Sequence, residues 1–401
     1  MGAAFDSLLQ YMEGKPVVNT HCHHMKDGSF SPFSLETLLE NSYVNWCGVP
    51  FGQSSESRNR YFSAVRYNSY FIWLQKSLQA IYRTSRPLNA ENWGEFSEMI
   101  SRSHQNREYH ISLLRNLCHY ENTILDATWE PGSDNGHPDV FFPTYRINMF
   151  LYGYNRSVRD HNQNNPILIY GENPETLDEY IAFMKGMILQ KKREGCVALK
   201  AAIPYDRGLD FTEVGKEKAR RAFGKDSSAL SEDEIKHFQD YVFFEICRTA
   251  AELDLPLQCH AGLGRLRRSN AIYMREVIEK NPGTKFVLFH GNYPWTDDFC
   301  AIIHNYRNVY PDLCWLPLIS TSGCVRALEE LIEVGLSDRI CWGCDTWTSE
   351  ESYGALLAAR FVLASVFAKK VEDGYFSLND AETLTDNILF YNAKRLYFHT
   401  S

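Results

Sequence analysis

The sequence predicts an α/β protein with a (β/α)₈ barrel, built as a single domain over residues 1–401. Short apolar runs recur along the chain, helical patterns separate them, and polar residues follow several of the runs. Short apolar runs bounded by turn residues are typical of buried parallel strands. Eight of them in alternation with helices favour a closed barrel, with a doubly wound open sheet as the alternative.

Eight runs are predicted as strands. They are Val17–Thr20, Asn122–Ala127, Pro166–Tyr170, Cys196–Ala201, Leu255–Cys259, Lys285–Phe289, Asn308–Leu313 and Arg339–Gly343. Residues 176–189, 234–252 and 324–334 carry apolar side chains at spacings of three and four, which predicts amphipathic helices. Near the end, Ser377 followed by Asp380 predicts a capped helix start.

The first two predicted strands are separated by about a hundred residues. Residues 30–118 are rich in aromatic and charged side chains, and stretches such as 71–82 and 89–100 have helical character. We therefore expect a helical insertion after strand one. Loops that follow barrel strands lie over the catalytic mouth, so the insertion is expected to cover the active site.

Composition limits the classes of function. The chain holds 41 Lys and Arg against 50 Asp and Glu, a formal charge of −9, which argues against nucleic acid as a partner. Its 11 cysteines are thinly spread, which favours free thiols in a reducing compartment. No signal peptide or membrane-spanning stretch is recognised, and a cytoplasmic protein is expected. A homo-oligomer is left open.

The most informative motif is His21-Cys22-His23 at the end of the first predicted strand. In a strand, side chains two positions apart point to the same side, so the two imidazoles can reach one metal ion. Imidazole nitrogens suit zinc and similar ions. An isolated motif of this kind is weak, and its weight depends on the residues that end the other strands.

Four later strand ends carry polar residues: Lys200, His260, His290 and Asp345. Singly, each has an ordinary structural explanation, such as a loop residue or a helix cap. The ends of barrel strands meet at one mouth, so their joint occurrence predicts a functional site. Imidazoles with one carboxylate leave coordination room for water or substrate at a catalytic metal.

These residues, in this order, resemble the amidohydrolase superfamily and, more narrowly, its amidohydrolase family 2 branch. The middle and end of the chain are similar to the hydrolase-like half of nodulin/glutamine-synthetase fusion proteins. The pieces that carry the resemblance are residues 197–209 (VALKAAIPYDRGL), 256–262 (PLQCHAG), 290–294 (HGNYP) and 392–397 (NAKRLY).

The resemblance implies that His21, His23, His260 and Asp345 are metal ligands. Asp345 would also accept a proton from water, and His290 would be catalytic. A divalent ion is implied, with zinc preferred and one ion preferred over two. Lys200 stays ambiguous. In two-metal members a lysine at this position is carbamylated and bridges the ions, whereas in one-metal members the position need not ligate, and Lys200 could instead bind a substrate carboxylate as a point charge.

Loops near the expected mouth suggest how a substrate is held. Besides Lys200, the candidate substrate-binding residues are Tyr205, Arg207, Arg265, Tyr293 and Trp347. Arginine suits a carboxylate, and aromatic walls suit an apolar or planar part of a small molecule. Ordinary loop packing and surface charge is the structural alternative. We therefore expect a small carboxylate-bearing substrate.

The leading expectation is a metal-dependent hydrolase that cleaves an amide, a lactone or a related C–N or C–O bond with metal-activated water. A metal-dependent decarboxylase on the same scaffold is the alternative. A uronate-isomerase-like enzyme ranks lower, although the insertion after strand one is a feature it would share. A barrel that has lost activity and only binds its ligand ranks lowest.

Overall fold

A computed structural model describes residues 2–400, and its centre is a seven-stranded parallel sheet in chain order. The strands are β1 (Val17–Cys22), β2 (Tyr120–Leu125), β3 (Phe141–Arg146), β4 (Ala198–Ala201), β5 (Leu257–Cys259), β6 (Phe286–Leu288) and β7 (Val309–Pro311). Every neighbouring pair is parallel. All carboxyl ends therefore lie at the same edge of the sheet.

Seventeen α-helices accompany the sheet in the described part of the chain. They are α1 (Ala3–Met12), α2 (Leu35–Glu40), α3 (Ser55–Val65), α4 (Ser69–Ile81), α5 (Trp93–Ser103), α6 (Tyr109–Ser112), α7 (Pro166–Tyr170), α8 (Leu177–Arg193), α9 (Lys216–Arg220), α10 (Glu232–Glu252), α11 (Arg275–Lys280), α12 (Thr296–Asn305), α13 (Leu316–Ile319), α14 (Thr321–Val334), α15 (Ser349–Glu372), α16 (Leu378–Asp386) and α17 (Asn392–Phe398). Helices α8, α10 and α14 confirm the predicted amphipathic segments. The Ser377–Asp380 capping box starts α16 as predicted.

One predicted strand is wrong. Residues Pro166–Tyr170 form the short helix α7 instead. The Asn165 side chain accepts the backbone N–H of Ile167, and proline occupies the first turn, where its missing N–H costs nothing. These two local signals outweigh the apolar character of the run.

One strand of the sheet, β3, is not predicted by the sequence pattern. Strand β3 pairs with β2 on one side and β4 on the other, and it reads Phe-Phe-Pro-Thr-Tyr-Arg. A proline inside the run and an arginine at its end are unusual for a central strand, since proline donates no ladder hydrogen bond. The arginine, Arg146, proves to be part of the site described below.

The run predicted as the eighth strand pairs with its neighbour through a single isolated bridge, between Cys341 and Asp312, and does not form a continuous strand. Its backbone nevertheless makes hydrogen bonds to the segments on both of its sides. Cys341 N–H donates to Pro311 O beside β7, and Thr20 N–H of β1 donates to Trp342 O. The seven-stranded sheet is thus curled, and the segment at residues 341–342 bonds to the strands at its two edges.

Between β1 and β2 the chain forms helices α2 to α6. These helices pack around their own apolar cluster, which includes Leu38, Tyr61, Phe71 and Trp93. A separate cluster inside the curled sheet includes Val18, Ile124, Ala198 and Val287. The largest cluster lies between the sheet and the surrounding helices.

Two compositional expectations can be compared with this fold. All 11 cysteines are free thiols and all but Cys47 are buried, as predicted. Among the described residues, no helix combines the length and apolar character needed to cross a bilayer.

Candidate metal centre

The carboxyl ends of the strands converge on a cavity of about 260 Å³. Its lining consists of His23, Tyr43, Trp46, Thr128, Arg146, His161, Asn162, Lys200, Ala202, Tyr205, His260, Asp345 and Trp347. The lining residues come from the strand ends, from the loops that follow them, and from the segment between β1 and β2. The volume suits a small molecule.

Three of the four expected metal ligands face one another at this edge. Oδ1 of Asp345 lies 3.5 Å from Nε2 of His21 and 3.3 Å from Nε2 of His23. Metal–ligand bonds of about 2.0–2.2 Å at tetrahedral angles place neighbouring donor atoms roughly 3.3–3.6 Å apart. The observed separations match that spacing, so the donor set fits a zinc-like ion.

Hydrogen bonds fix the direction in which each imidazole presents its free nitrogen. Nδ1 of His21 lies 3.1 Å from Oε1 of Gln258, and Nδ1 of His23 lies 2.9 Å from the backbone oxygen of Asp126. Both partners accept, so each Nδ1 carries the proton and each Nε2 keeps its lone pair. Such contacts are the usual support of metal-binding histidines.

Electrostatics prepare the same groups for a cation. Burial lowers the pKa of His21 well below its ordinary value, with the charge of Lys200 adding to the effect, so the ring is neutral. Burial alone would raise the pKa of Asp345, but the surrounding imidazoles, with His23 as the nearest, hold it well below its usual range. A neutral His21 beside an ionised Asp345 is the combination of protonation states that metal binding requires.

His260 lies at the cavity, yet both of its nitrogens have other partners. Nδ1 lies 3.0 Å from Nε2 of His290, and Nε2 contacts the backbone oxygen of Leu263. The structure therefore pairs His260 with His290 instead of placing it beside His21 and His23. To join them as a ligand, the ring would have to give up one of these contacts.

His290 is fully buried and is held on both sides. Its Nδ1 lies 2.9 Å from the backbone oxygen of Cys314 and 3.9 Å from Oδ2 of Asp345. Burial lowers its pKa to about 4, against the effect of Asp345. Its left-handed backbone, with φ 64°, is rare for a residue other than glycine.

Lys200 is buried next to these groups. Its Nζ lies 3.4 Å from Nε2 of His21 and 3.9 Å from the ring centre of Phe289. Burial lowers its pKa, while Asp345 and Asp126 act in the opposite direction. A buried ammonium in a ligand cavity is suited to pairing with a substrate anion.

The candidate substrate-binding residues divide into two groups. Lys200, Tyr205 and Trp347 line the cavity, and the Trp347 ring stacks on His23. Arg207, Arg265 and Tyr293 are not among the described residues that line it. Arg207 instead pairs with Asp240 at 2.9 Å, and Arg265 donates to the backbone oxygen of Asp206.

Several site residues were missed by the sequence pattern. Asp126 follows β2, pairs with Arg146, and lies 3.7 Å from Nε2 of His21, which makes it a further possible ligand. An acid at the end of an apolar run was the available signal for it. Arg146 was not predicted as a site residue because its strand, β3, was not predicted. Tyr43 and Trp46 lie in segments where no sequence motif marks a site residue.

Residues 224–398 match the sequence model of the family Amidohydro_2, described as amidohydrolase. His260, His290 and Asp345 lie inside the matched range, whereas His21 and His23 lie before it. The match confirms the resemblance to amidohydrolases that the motifs indicate.

Two curated proteins are similar in sequence over part of the chain. Protein fluG of Emericella nidulans is 31% identical over 219 residues, which are 50% of this chain and 25% of that protein. Uronate isomerase of Nostoc punctiforme is 24% identical over 252 residues, 59% of this chain and 50% of that protein. The matched part of this chain thus spans a quarter of the length of Protein fluG and half of the length of the uronate isomerase.

Solved structures share the fold across nearly the whole chain. Uronate isomerase of Thermotoga maritima matches with a TM-score of 0.76 and 18% identity over 99% of this chain and 98% of its own. Glucuronate isomerase of Caulobacter crescentus matches with a TM-score of 0.78 and 14% identity over 100% of this chain and 94% of its own. A presumed metal-dependent hydrolase of Lactobacillus casei matches with a TM-score of 0.71 and 19% identity over 98% of this chain and 97% of its own.

Proposed function

We propose that this protein is a metal-dependent enzyme of the amidohydrolase family that hydrolyses an amide, lactone or related C–N or C–O bond in a small carboxylate-bearing substrate. The observation that carries the proposal is the approach of His21 and His23 to one oxygen of Asp345, beside a cavity lined by His23, Asp345 and the buried Lys200. A bound divalent ion, with zinc preferred and one ion preferred over two, would lower the pKa of a water and polarise a carbonyl.

The residues around the proposed ion have separable roles. Asp345 is both a ligand and the group that accepts a proton, because its Oδ1 faces the histidines while Oδ2 faces Tyr43 and His290. His290 is the catalytic residue placed to hold or deliver a proton on the far side of that carboxylate. His260 orients His290 through their 3.0 Å contact, or becomes a fourth ligand if its ring turns.

Binding of a carboxylate is proposed from the charges in the cavity. Lys200 is a buried cation, and Arg146 adds a second whose charge is partly used by Asp126. Tyr205 and Trp347 supply aromatic walls for the rest of a small molecule. Arg207, Arg265 and Tyr293 are left with roles outside this cavity.

The architecture proposed with this function is a closed barrel in which the link at residues 341–343 occupies the position of an eighth strand. The backbone bonds of that link to both β7 and β1 support closure. Residues 30–118 are proposed as a helical insertion over the mouth of a single domain, since Tyr43 and Trp46 reach the cavity from it. A cytoplasmic location is proposed from the buried free thiols.

A second candidate is isomerisation of a sugar acid. A curated uronate isomerase is among the sequence relatives, and its substrate class also bears a carboxylate. Decarboxylation on the same scaffold remains the third reaction, with His290 assisting proton transfer and no activated water. The mutual approach of His21, His23 and Asp345 speaks against a barrel that only binds.

One experiment separates these reactions. The purified protein, reconstituted with zinc, is incubated in H₂¹⁸O with amides and lactones of small carboxylic acids, with hexuronates, and with aromatic carboxylates. Hydrolysis puts one ¹⁸O into the new acid, isomerisation interconverts aldose and ketose, and decarboxylation releases carbon dioxide. Conversion of hexuronates or release of carbon dioxide, without hydrolysis of any amide or lactone, would overturn the hydrolase proposal.

A further inference from the structure

Helix α15 holds a guanidinium without a partner. Arg360 is only 7% exposed, and its Nε and Nη2 are buried without any hydrogen-bond partner among residues 2–400. Burial lowers its pKa, and Tyr353, Cys118, Tyr120 and Glu13 oppose that effect through charge alone, without a hydrogen bond. A guanidinium stays charged at any ordinary pH, and an unpaired buried charge is costly. An anionic partner is therefore missing.

Arg360 borders a cavity of about 420 Å³ in which such a partner would fit. The cavity is lined mainly by apolar side chains, among them Leu9, Trp73 and Phe361. Lys76 supplies a second cation, with its Nζ 4.8 Å from the ring centre of Trp73. One acid, Glu13, lies at the same cavity, so permanent positive charges outnumber negative ones there.

This cavity is distinct from the candidate metal centre. The two share no lining residue. Glu13 and Gly14 lie just before β1 and His119 just before β2, so the cavity is at the amino-terminal ends of the strands. The metal centre occupies the opposite edge.

We propose that this second cavity binds a small organic carboxylate with an apolar or aromatic body. The carboxylate pairs with Arg360, assisted by Lys76, and the body lies against Trp73 and Phe361. Planar pairing with carboxylate is the geometry that a guanidinium favours. The inference does not depend on the reaction catalysed at the other edge of the sheet.

Titration calorimetry with 3-phenylpropionate tests the proposal, with uncharged 3-phenylpropanamide as the matched ligand. Because a carboxylate can also enter the catalytic cavity, the titrations are run on Lys200→Met, in which that competing site is weakened. Arg360→Met in this background is expected to weaken binding by about tenfold or more, since a charge-assisted pair is lost. The uncharged 3-phenylpropanamide should bind weakly, and with the same affinity, to Lys200→Met with and without Arg360→Met.

Two further variants guard the interpretation. Leu357→Trp fills the same cavity without touching the guanidinium and is expected to reduce binding as well. Glu13→Gln should leave binding intact or tighten it, because Glu13 is the one acid that could swing toward Arg360. Equal affinities of the Arg360 variant and its parent, or no binding of phenylpropionate to Lys200→Met, would refute the second site.

Discussion

The hydroxyl of Tyr43 donates a 2.9 Å hydrogen bond to Oδ2 of Asp345, across 302 positions of the chain. The other oxygen of the same carboxylate faces His21 and His23. Glu351 in turn accepts the backbone N–H of Tyr43 at 2.6 Å. A residue from the segment between the first two strands thereby sets the orientation of the carboxylate at the proposed metal.

Tyr43→Phe removes that single hydrogen bond and leaves the ring packing intact. A hydrogen bond to a charged group contributes roughly 1.5–3 kcal/mol, so we expect kcat/KM to fall about 10- to 100-fold with metal content unchanged. Tyr70→Phe is the matched control, because the Tyr70 ring stacks on Tyr43 but, among residues 2–400, its hydroxyl makes no hydrogen bond to Asp345. An equal loss in both variants would show that packing, not the hydrogen bond, is responsible.

His21→Ala and Asp345→Asn should each abolish both metal content and turnover, because they remove donors that face one another across 3.5 Å. Elemental analysis after dialysis against a chelator and zinc reloading measures the first effect, and a rate assay the second. His24→Gln is the control, since His24 points away to His110 at 2.9 Å. A double variant that keeps its metal and its activity contradicts the ligand assignment. Two ions per fully active chain would favour a bridging role for Lys200.

Glu351 gives a prediction about stability and pH. Burial raises its pKa to about 8, against two backbone hydrogen bonds that lower it, whereas the unfolded chain titrates near the ordinary value of 4.5. Between these values the folded state holds a proton that the unfolded state has released. The free energy of unfolding should therefore fall as the pH rises from about 5 to 8, by at most about 1.4 kcal/mol per pH unit.

Glu351→Gln removes this proton linkage while keeping an oxygen that can accept from Tyr43. Urea unfolding near pH 5, 6.5 and 8 should show a smaller decline for the variant than for the parent protein. Parallel curves for the two proteins would mean that Glu351 is ionised in the folded state across this range.

Lys200 and Arg265 distinguish the two basic regions near the mouth. Lys200→Met should raise KM for a carboxylate substrate by about tenfold or more, because a buried cation in the cavity is lost. Arg265→Ala should leave KM within about twofold, since this exposed side chain does not line the cavity and donates to the backbone oxygen of Asp206. Steady-state kinetics of both variants measure these KM values. A raised KM in Arg265→Ala with an unchanged KM in Lys200→Met would show that Lys200 does not bind the substrate. A changed metal content in Lys200→Met would point to a ligand role instead.

The strands that the sequence predicts correctly are those whose apolar runs are short and uninterrupted. The run before His260 and the run before His290 both became strands, and each histidine follows its strand as expected. Strand β3 could not be found this way because Pro143 and Arg146 interrupt its pattern. The run at residues 166–170 has better strand composition than β3, yet its cap and proline start a helix.

The candidate site shows the same division. The approach of His21 and His23 to Asp345 followed from strand periodicity and from the common direction of parallel strands. The pairing of His260 with His290 could not follow, because it depends on the backbone oxygens of Leu263 and Cys314 on two loops. Tyr43 was equally inaccessible, since only the tertiary path of the helices after β1 brings it to the carboxylate.

Gln258, which supports His21, also reaches the last helix of the chain. Its amide nitrogen donates to Thr20 O at 2.9 Å and to the hydroxyl of Tyr397 at 3.1 Å, and these two bonds decide which end of the amide faces the imidazole. A truncation that removes Tyr397 would remove one of these two bonds, so the Gln258 amide could rotate and its hydrogen bond with His21 would weaken. The helix that carries Tyr397 thus supports the proposed metal ligand His21 from a distance, and shortened versions of the protein should lose metal affinity before they lose their fold.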